Sequence, residues 1–285
     1  MDSNIEAAID EYHGGTLNRR AFLARLVTLT GSMAATHLLL ERSGLAQTLS
    51  QREAQQMEIA ADTVTYSGDT PLSGYLAAPK GEGRFPAVVV IHENRGLNDH
   101  TRDVARRFAA AGFVALAPDL LSRKGGTAAM ESPDKAREAI GTITAEEATR
   151  DLKAGLAFLN AHTKVQAGKL ASVGFCWGGA RSFLLAVESD LLKAAVVFYG
   201  SAPPAERLAE VRCPVLGIYG ETDERITSQV PAVAAAMQKA GKSFQEMTYV
   251  GAGHAFFNDT GERYNAPAAK DAWERTLTFL RTNLK

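Results

Sequence analysis

One cysteine stands in a pattern that covalent catalysis uses. In Val173-Gly174-Phe175-Cys176-Trp177-Gly178-Gly179 the thiol has a glycine two residues before it and another two residues after it. The spacing G-x-C-x-G suits a nucleophile on a sharp turn from a strand into a helix. Glycine at the flanking positions avoids a collision across the turn, and the turn lifts the sulfur above the strand ends. The backbone N–H of Trp177 then faces the same space and is a candidate donor to an oxyanion. The partial positive charge of a helix N-terminus is expected to favour the thiolate of Cys176. The second cysteine, Cys213, precedes Pro214 at the start of an apolar run and reads as core filler.

A base and an orienting acid follow in the order nucleophile, acid, histidine. Gly220-Glu221-Thr222-Asp223-Glu224-Arg225 follows one apolar run, and Gly251-Ala252-Gly253-His254-Ala255-Phe256 follows the next. His254 is expected to take the thiol proton and return it to a leaving oxygen. Asp223 is expected to hold the imidazole tautomer, with Glu221 and Glu224 as competitors in the same loop. Of the other histidines, His13 and His37 lie near the N-terminus and His162 in a helix-to-strand connection; these read as surface or packing residues. His92-Glu93-Asn94-Arg95-Gly96, with Asp99 and His100 close behind, lacks the spacing and the ligand count of a zinc site. It reads instead as an oxyanion loop with the Asn94 N–H as second donor, and with Glu93 placed to control ionisation of the thiol. No metal site is expected.

These residues must be positioned by alternating strands and helices. Residues 62–67 and 72–78 read as an antiparallel pair around Ser67-Gly68-Asp69. Ala87-Val88-Val89-Val90-Ile91 is an unbroken apolar run, the mark of a strand buried on both faces of a parallel sheet. Further strands are expected at 113–117, 170–175, 194–199, 214–219 and 244–250. Helices are expected at 99–111, across 131–160 in two pieces around Gly141, and at 178–187, 231–240 and 268–282. The pattern calls for an α/β fold with a mostly parallel sheet and helices on both faces. The loop 120–132 follows a strand and is expected at the carboxyl edge where ligands bind.

Composition sets the outer limits. Of 285 residues, 46% are hydrophobic and 22% charged, which excludes a disordered chain and a multi-span membrane protein. With 31 Lys+Arg against 32 Asp+Glu, the balance offers no electrostatic case for nucleic-acid binding. Two cysteines and no C-x-x-C pair exclude a disulfide framework. Residues 1–46 differ from the rest. Arg19-Arg20-Ala21-Phe22-Leu23 precedes an apolar, small-residue run from Leu26 to Leu40, and Gly44-Leu45-Ala46 offers a small-residue exit. This resembles a twin-arginine (Tat) export signal, with Asn18 where Ser or Thr is usual. The expected organisation is a leader at 1–46, a linker at 47–61 and one enzyme domain at 62–285. The Tat export machinery would be a partner and the location periplasmic or secreted; the alternative is an N-terminal helix on a cytoplasmic enzyme. The apolar run is too short and interrupted for a membrane span, so the mature domain is expected to make no stable membrane insertion. Without residues 1–46 the chain keeps 27 Lys+Arg and 27 Asp+Glu, so the conclusion on partners is unchanged.

With these residues placed, the sequence from about residue 60 to 285 resembles the dienelactone hydrolase family of α/β-hydrolases. The motifs that carry the resemblance are Ile91-His92-Glu93-Asn94-Arg95-Gly96-Leu97, Ala117-Pro118-Asp119-Leu120-Leu121, Gly174-Phe175-Cys176-Trp177-Gly178-Gly179 and Gly251-Ala252-Gly253-His254-Ala255-Phe256. The resemblance implies a cofactor-independent esterase that opens enol-lactones such as carboxymethylenebutenolide. It implies Cys176, Asp223 and His254 as the triad and Glu93 as the acidic residue beside the nucleophile. Arg123 matches a family arginine associated with the substrate carboxylate. The family's second arginine, shortly after the catalytic histidine, is absent; Asn258 stands there, and neither Arg95 nor Arg263 aligns with it.

The expected activity is hydrolysis of a small lactone or carboxylic ester through a thioester, with Trp177 and Asn94 N–H groups holding the oxyanion. Two rivals remain at this level: a general carboxylesterase or thioesterase on the same fold, and a non-enzymatic thiol used for binding or redox sensing.

Overall fold

The computed structural model describes residues 58–285 and, of the first 57, residues 4, 5, 7, 8, 11, 19–32, 35 and 36. The chain divides into two compact units, Met1–Gln56 and Met57–Lys285. In the first, Arg19–Thr30 is a helix, α1, and Arg25 pairs with Glu11 at 2.6 Å. The small-residue exit Gly44-Leu45-Ala46 lies outside the described residues. Among the described residues no helix is long and apolar enough to cross a membrane.

The second unit is built on an eight-stranded sheet in the order β1-β2-β4-β3-β5-β6-β7-β8. β1 (Ile59–Ser67) and β2 (Pro71–Pro79) form the antiparallel pair, and β2 also runs antiparallel to β4 (Val114–Pro118). β1 begins at Ile59, so the sheet reaches three residues into the stretch expected to be linker. The remaining strands are parallel: β3 (Phe85–Ile91), β5 (Val165–Phe175), β6 (Leu192–Phe198), β7 (Val215–Gly220) and β8 (Phe244–Tyr249). This is the α/β-hydrolase fold, and the apolar runs explain it. Every residue from Ala87 to Ile91 is fully buried, so both faces of β3 need a cover of helices. Val88 and Val90 face one core with Val104 and Phe108 of α2 (Asp99–Ala110) and Phe279 and Leu280 of α8 (Ala266–Asn283). Val89 and Ile91 face the other core with Leu152 and Leu156 of α4 (Ala145–Ala161) and Phe183 of α5 (Trp177–Glu188).

Helix starts follow their cap residues. Asn98 caps α2, Ser132 caps α3 (Pro133–Gly141), Thr144 and Glu147 close a capping box on α4, and Asn265 caps α8. α5 differs: Cys176 occupies its cap position and no side chain caps it. The N–H groups that open α5 therefore remain available to a ligand. The chain runs from β3 outward to β4 and then returns to β5 on the other side of β3. That reversal opens a crevice at the carboxyl ends of β3 and β5, where Glu93 and Asn94 follow one strand and Cys176 the other. α6 (Glu224–Thr227) and α7 (Val230–Lys239) complete the second unit.

Candidate active site

Cys176 adopts φ 56° and ψ −117°, a left-handed conformation that costs a non-glycine residue free energy. Its flanking glycines permit the turn. A Cβ at Gly174 would lie 2.0 Å from the Gly178 carbonyl oxygen, the collision across the turn that the sequence implied. A Cβ at Gly178 would lie 2.4 Å from the His92 carbonyl oxygen, so the second glycine instead clears the end of β3.

Residues 78 and 31 positions apart converge at this turn. His254 Nε2 lies 3.0 Å from Cys176 Sγ. Its Nδ1 lies 2.5 Å from Asp223 Oδ2. Asp223 is buried, whereas Glu221 is exposed and accepts from the Gly251 N–H at 2.9 Å. Glu224 is likewise exposed. The acid that reaches His254 is thus Asp223. The arrangement has the geometry of nucleophile, base and orienter.

The thiol is held protonated, against the expectation from the helix terminus. Burial pushes the Cys176 pKa up to about 11, and the negative charge of Glu93 adds to the rise. The Trp177 N–H and the charge of Arg225 act in the opposite direction without cancelling it. Burial outweighs the helix end because it penalises the charged form directly. The reactive thiolate fraction of the free protein should therefore be small at neutral pH and grow tenfold per pH unit. Iodoacetamide labelling of Cys176 should accelerate with that slope up to about pH 11; a rate already level by pH 8 would contradict a protonated resting thiol. Cys213, buried in the core beside Val215, is also a free thiol and is pushed up to about 12 by burial.

The loop after β3 is braced from below. His92 is fully buried, and burial holds its pKa below the usual histidine value, so the ring is neutral. Its Nδ1 lies 2.6 Å from the Glu93 carbonyl oxygen, and its Nε2 lies 3.3 Å from the Leu120 nitrogen. One neutral tautomer satisfies both: Nδ1–H donates to the carbonyl and Nε2 accepts from Leu120. The Glu93 carbonyl and the Asn94 N–H belong to the same peptide unit, so His92 orients the donor of Asn94. The ring also lies nearly parallel to Trp177, 5.9 Å between centroids.

A cavity of about 780 Å³ opens on the site, with Cys176, His254, Trp177 and Asn94 in its wall. Residues 72–284 match the dienelactone hydrolase family. The chain belongs to this family. It is 31% identical over 278 residues to a candidate carboxymethylenebutenolidase of Methylorubrum extorquens, covering 93% of this chain and 95% of the relative. It is 34% identical over 230 residues to a Bradyrhizobium protein assigned as a 2-oxo-3-(5-oxofuran-2-ylidene)propanoate lactonase, covering 76% of this chain and 92% of the relative. A candidate dienelactone hydrolase of Klebsiella pneumoniae subsp. pneumoniae superposes with a TM-score of 0.73 at 30% identity, over 79% of this chain and 99% of the other.

One side chain departs from what the dienelactone hydrolase resemblance implied. Arg123 is engaged elsewhere: its Nε donates to Asp151 Oδ2 at 2.9 Å and its Nη2 to Asp151 Oδ1 at 2.5 Å. Asp69 stands 3.7 Å from the same guanidinium, and Arg123 is not in the cavity wall. The whole loop 120–132 is absent from that wall. Asp119 folds it inward by accepting from the Leu121 and Thr127 N–H groups and the Thr127 hydroxyl at 3.0, 2.7 and 2.7 Å. Asn258, where the second arginine was missing, donates its amide to Glu93 Oε2 at 3.0 Å. Arg95 and Arg263 are exposed and do not line the cavity.

Sequence reasoning missed two residues. Tyr199 is fully buried, directs its hydroxyl at Glu93 Oε1 over a long 3.4 Å, and packs its ring 5.1 Å from that of His254. Arg181 lines the cavity with its guanidinium 4.8 Å from the centre of the Trp177 ring. Its signal was present: Trp177 and Arg181 are four residues apart on one helix, the spacing that stacks side chains on one face.

Proposed function

We propose that this carboxylic-ester hydrolase opens a small lactone or carboxylic ester through a thioester on Cys176. The observation that carries this reading is His254, held between Cys176 and Asp223 at hydrogen-bonding distance from both. As Sγ forms its bond to the substrate carbonyl carbon, His254 Nε2 takes the thiol proton. Asp223 stabilises the imidazolium that results. The carbonyl oxygen gains the charge and faces the N–H groups of Trp177 and Asn94. When the C–O bond breaks, His254 delivers its proton to the departing oxygen, leaving an acyl thioester. Water then gives a proton to His254 and its hydroxyl to the acyl carbon; the acid leaves and the proton returns to sulfur. No step needs a metal or cofactor.

A sulfur that acts only as a redox sensor should ionise easily and be open to oxidant. The raised pKa of Cys176 favours a nucleophile whose proton is removed by His254 during attack instead. Purified protein given p-nitrophenyl esters and dienelactones should hydrolyse at least one class in saturable fashion without added metal. No turnover above buffer on either class would overturn the proposal.

A further inference from the structure

The cavity wall carries an excess of positive charge: five arginine or lysine residues against two glutamates. Most of these cations have partners. Arg207 and Lys153 both engage Glu188, at 2.8 and 3.4 Å. Arg150 pairs with Asp69 at 2.7 Å. Arg181 and Arg225 both make no ion pair among the described residues, but Arg225 is exposed, whereas the Nε of Arg181 is buried and has no hydrogen-bond partner. Burial lowers the Arg181 pKa from the ordinary arginine value, and the charge of Glu146 opposes that shift without cancelling it. The Nε–H of Arg181 has unused donor capacity that a ligand oxygen would fill.

The position suggests what supplies it. Trp177, Arg181, Leu184 and Glu188 all line the cavity and lie along one side of α5. Arg181 lies one turn, about 6 Å along the axis, beyond Trp177. The volume of about 780 Å³ falls toward the upper part of the range that accommodates drug-sized ligands, roughly 300–1,000 Å³. A five-membered lactone would leave most of it empty. The guanidinium lies over the Trp177 ring, 4.8 Å from its centre, and its planar fork of donors suits a flat anion such as a carboxylate.

We propose that Arg181 binds a carboxylate at the far end of an extended acyl chain, laid along α5, of the ester that Cys176 cleaves. The anchor is then a residue of the nucleophile's own helix, and Arg123 has a structural duty to Asp151. This proposal rests on the hydrolase reading for its kinetic test but has a binding test that does not.

The p-nitrophenyl monoesters of adipate and suberate present the carboxylate; p-nitrophenyl hexanoate and octanoate are their neutral counterparts. Wild-type protein should prefer the monoesters. Arg181→Gln should lower kcat/KM for the monoesters by about 10- to 100-fold, mainly through KM, as expected for loss of a charge-assisted bond. That loss should exceed the change on the neutral esters at least tenfold, and Arg181→Lys should restore part of it. Equal losses on both substrate classes would make Arg181 a packing residue and overturn the proposal. So would a selective loss of the monoesters in Arg123→Ala. Calorimetric titration with adipate reads the same contact without turnover. Weaker adipate binding in Arg181→Gln than in wild type supports the subsite even if no ester is hydrolysed, and equal binding rejects it.

Discussion

Cys176→Ala should abolish ester and lactone hydrolysis, lowering kcat by about four to six orders of magnitude, the scale seen when a triad nucleophile is removed. Alanine keeps the Cβ and the turn, so the fold at φ 56° is unchanged and the loss reads on the sulfur alone. The matched control is Cys213→Ala. That thiol is buried in the core beside Val215 and absent from the cavity wall, so kcat/KM should stay within about twofold while stability falls by about 1 kcal/mol. Initial rates on a p-nitrophenyl ester, paired with thermal melts, separate the two effects. Wild-type turnover in Cys176→Ala would remove the nucleophile from this account.

The second large effect belongs to Asp223. Asp223→Asn replaces the carboxylate 2.5 Å from His254 Nδ1 with an amide of the same size. The amide can donate to Nδ1, which moves the imidazole proton to Nε2, the atom facing Cys176 Sγ at 3.0 Å. A protonated Nε2 cannot accept the thiol proton. The raised thiol pKa makes the defect worse, because little thiolate exists without the base. The expected loss in kcat is about three to four orders of magnitude with KM little changed. Glu221→Gln and Glu224→Gln, in the same loop, should keep near wild-type kcat. If Asp223→Asn retained most of its turnover, the orienter would have to be sought elsewhere.

The fold was legible where burial is written into the order of residues. The run Ala87–Ile91 admits no exposed face, and a strand buried on both sides implies the parallel sheet that is found. The convergence of Cys176, Asp223 and His254 was legible because each follows its own strand. What depends on contacts distant in sequence was not. Arg123 looked free for a substrate carboxylate, but Asp151, 28 residues away on α4, takes the guanidinium. The loop 120–132 looked like a ligand edge, but the Asp119 carboxylate gathers its N–H groups and draws it away from the cavity. The thiolate expected at Cys176 came from a local rule about helix ends, whereas the depth of burial that outweighs that rule is a property of the assembled sheet. β5 begins at Val165, well before the expected Leu170, because its polar opening, Gln166 to Lys169, hides the strand from an apolar reading.

Helix α5 begins without a side-chain cap, and this links its stability to its chemistry. A serine or asparagine at residue 176 would ordinarily strengthen such a helix by about 1 kcal/mol by accepting from its first N–H groups. At this helix the gain is closed to selection, because the capping position and the nucleophile are the same residue. The first N–H of the helix, that of Trp177, has no such cap to accept from it and faces the place where a substrate oxygen would become negative. On the proposed mechanism the hydrogen bonding at the start of α5 is completed by the molecule undergoing reaction, so the helix is most fully satisfied at the moment the ester bond is breaking.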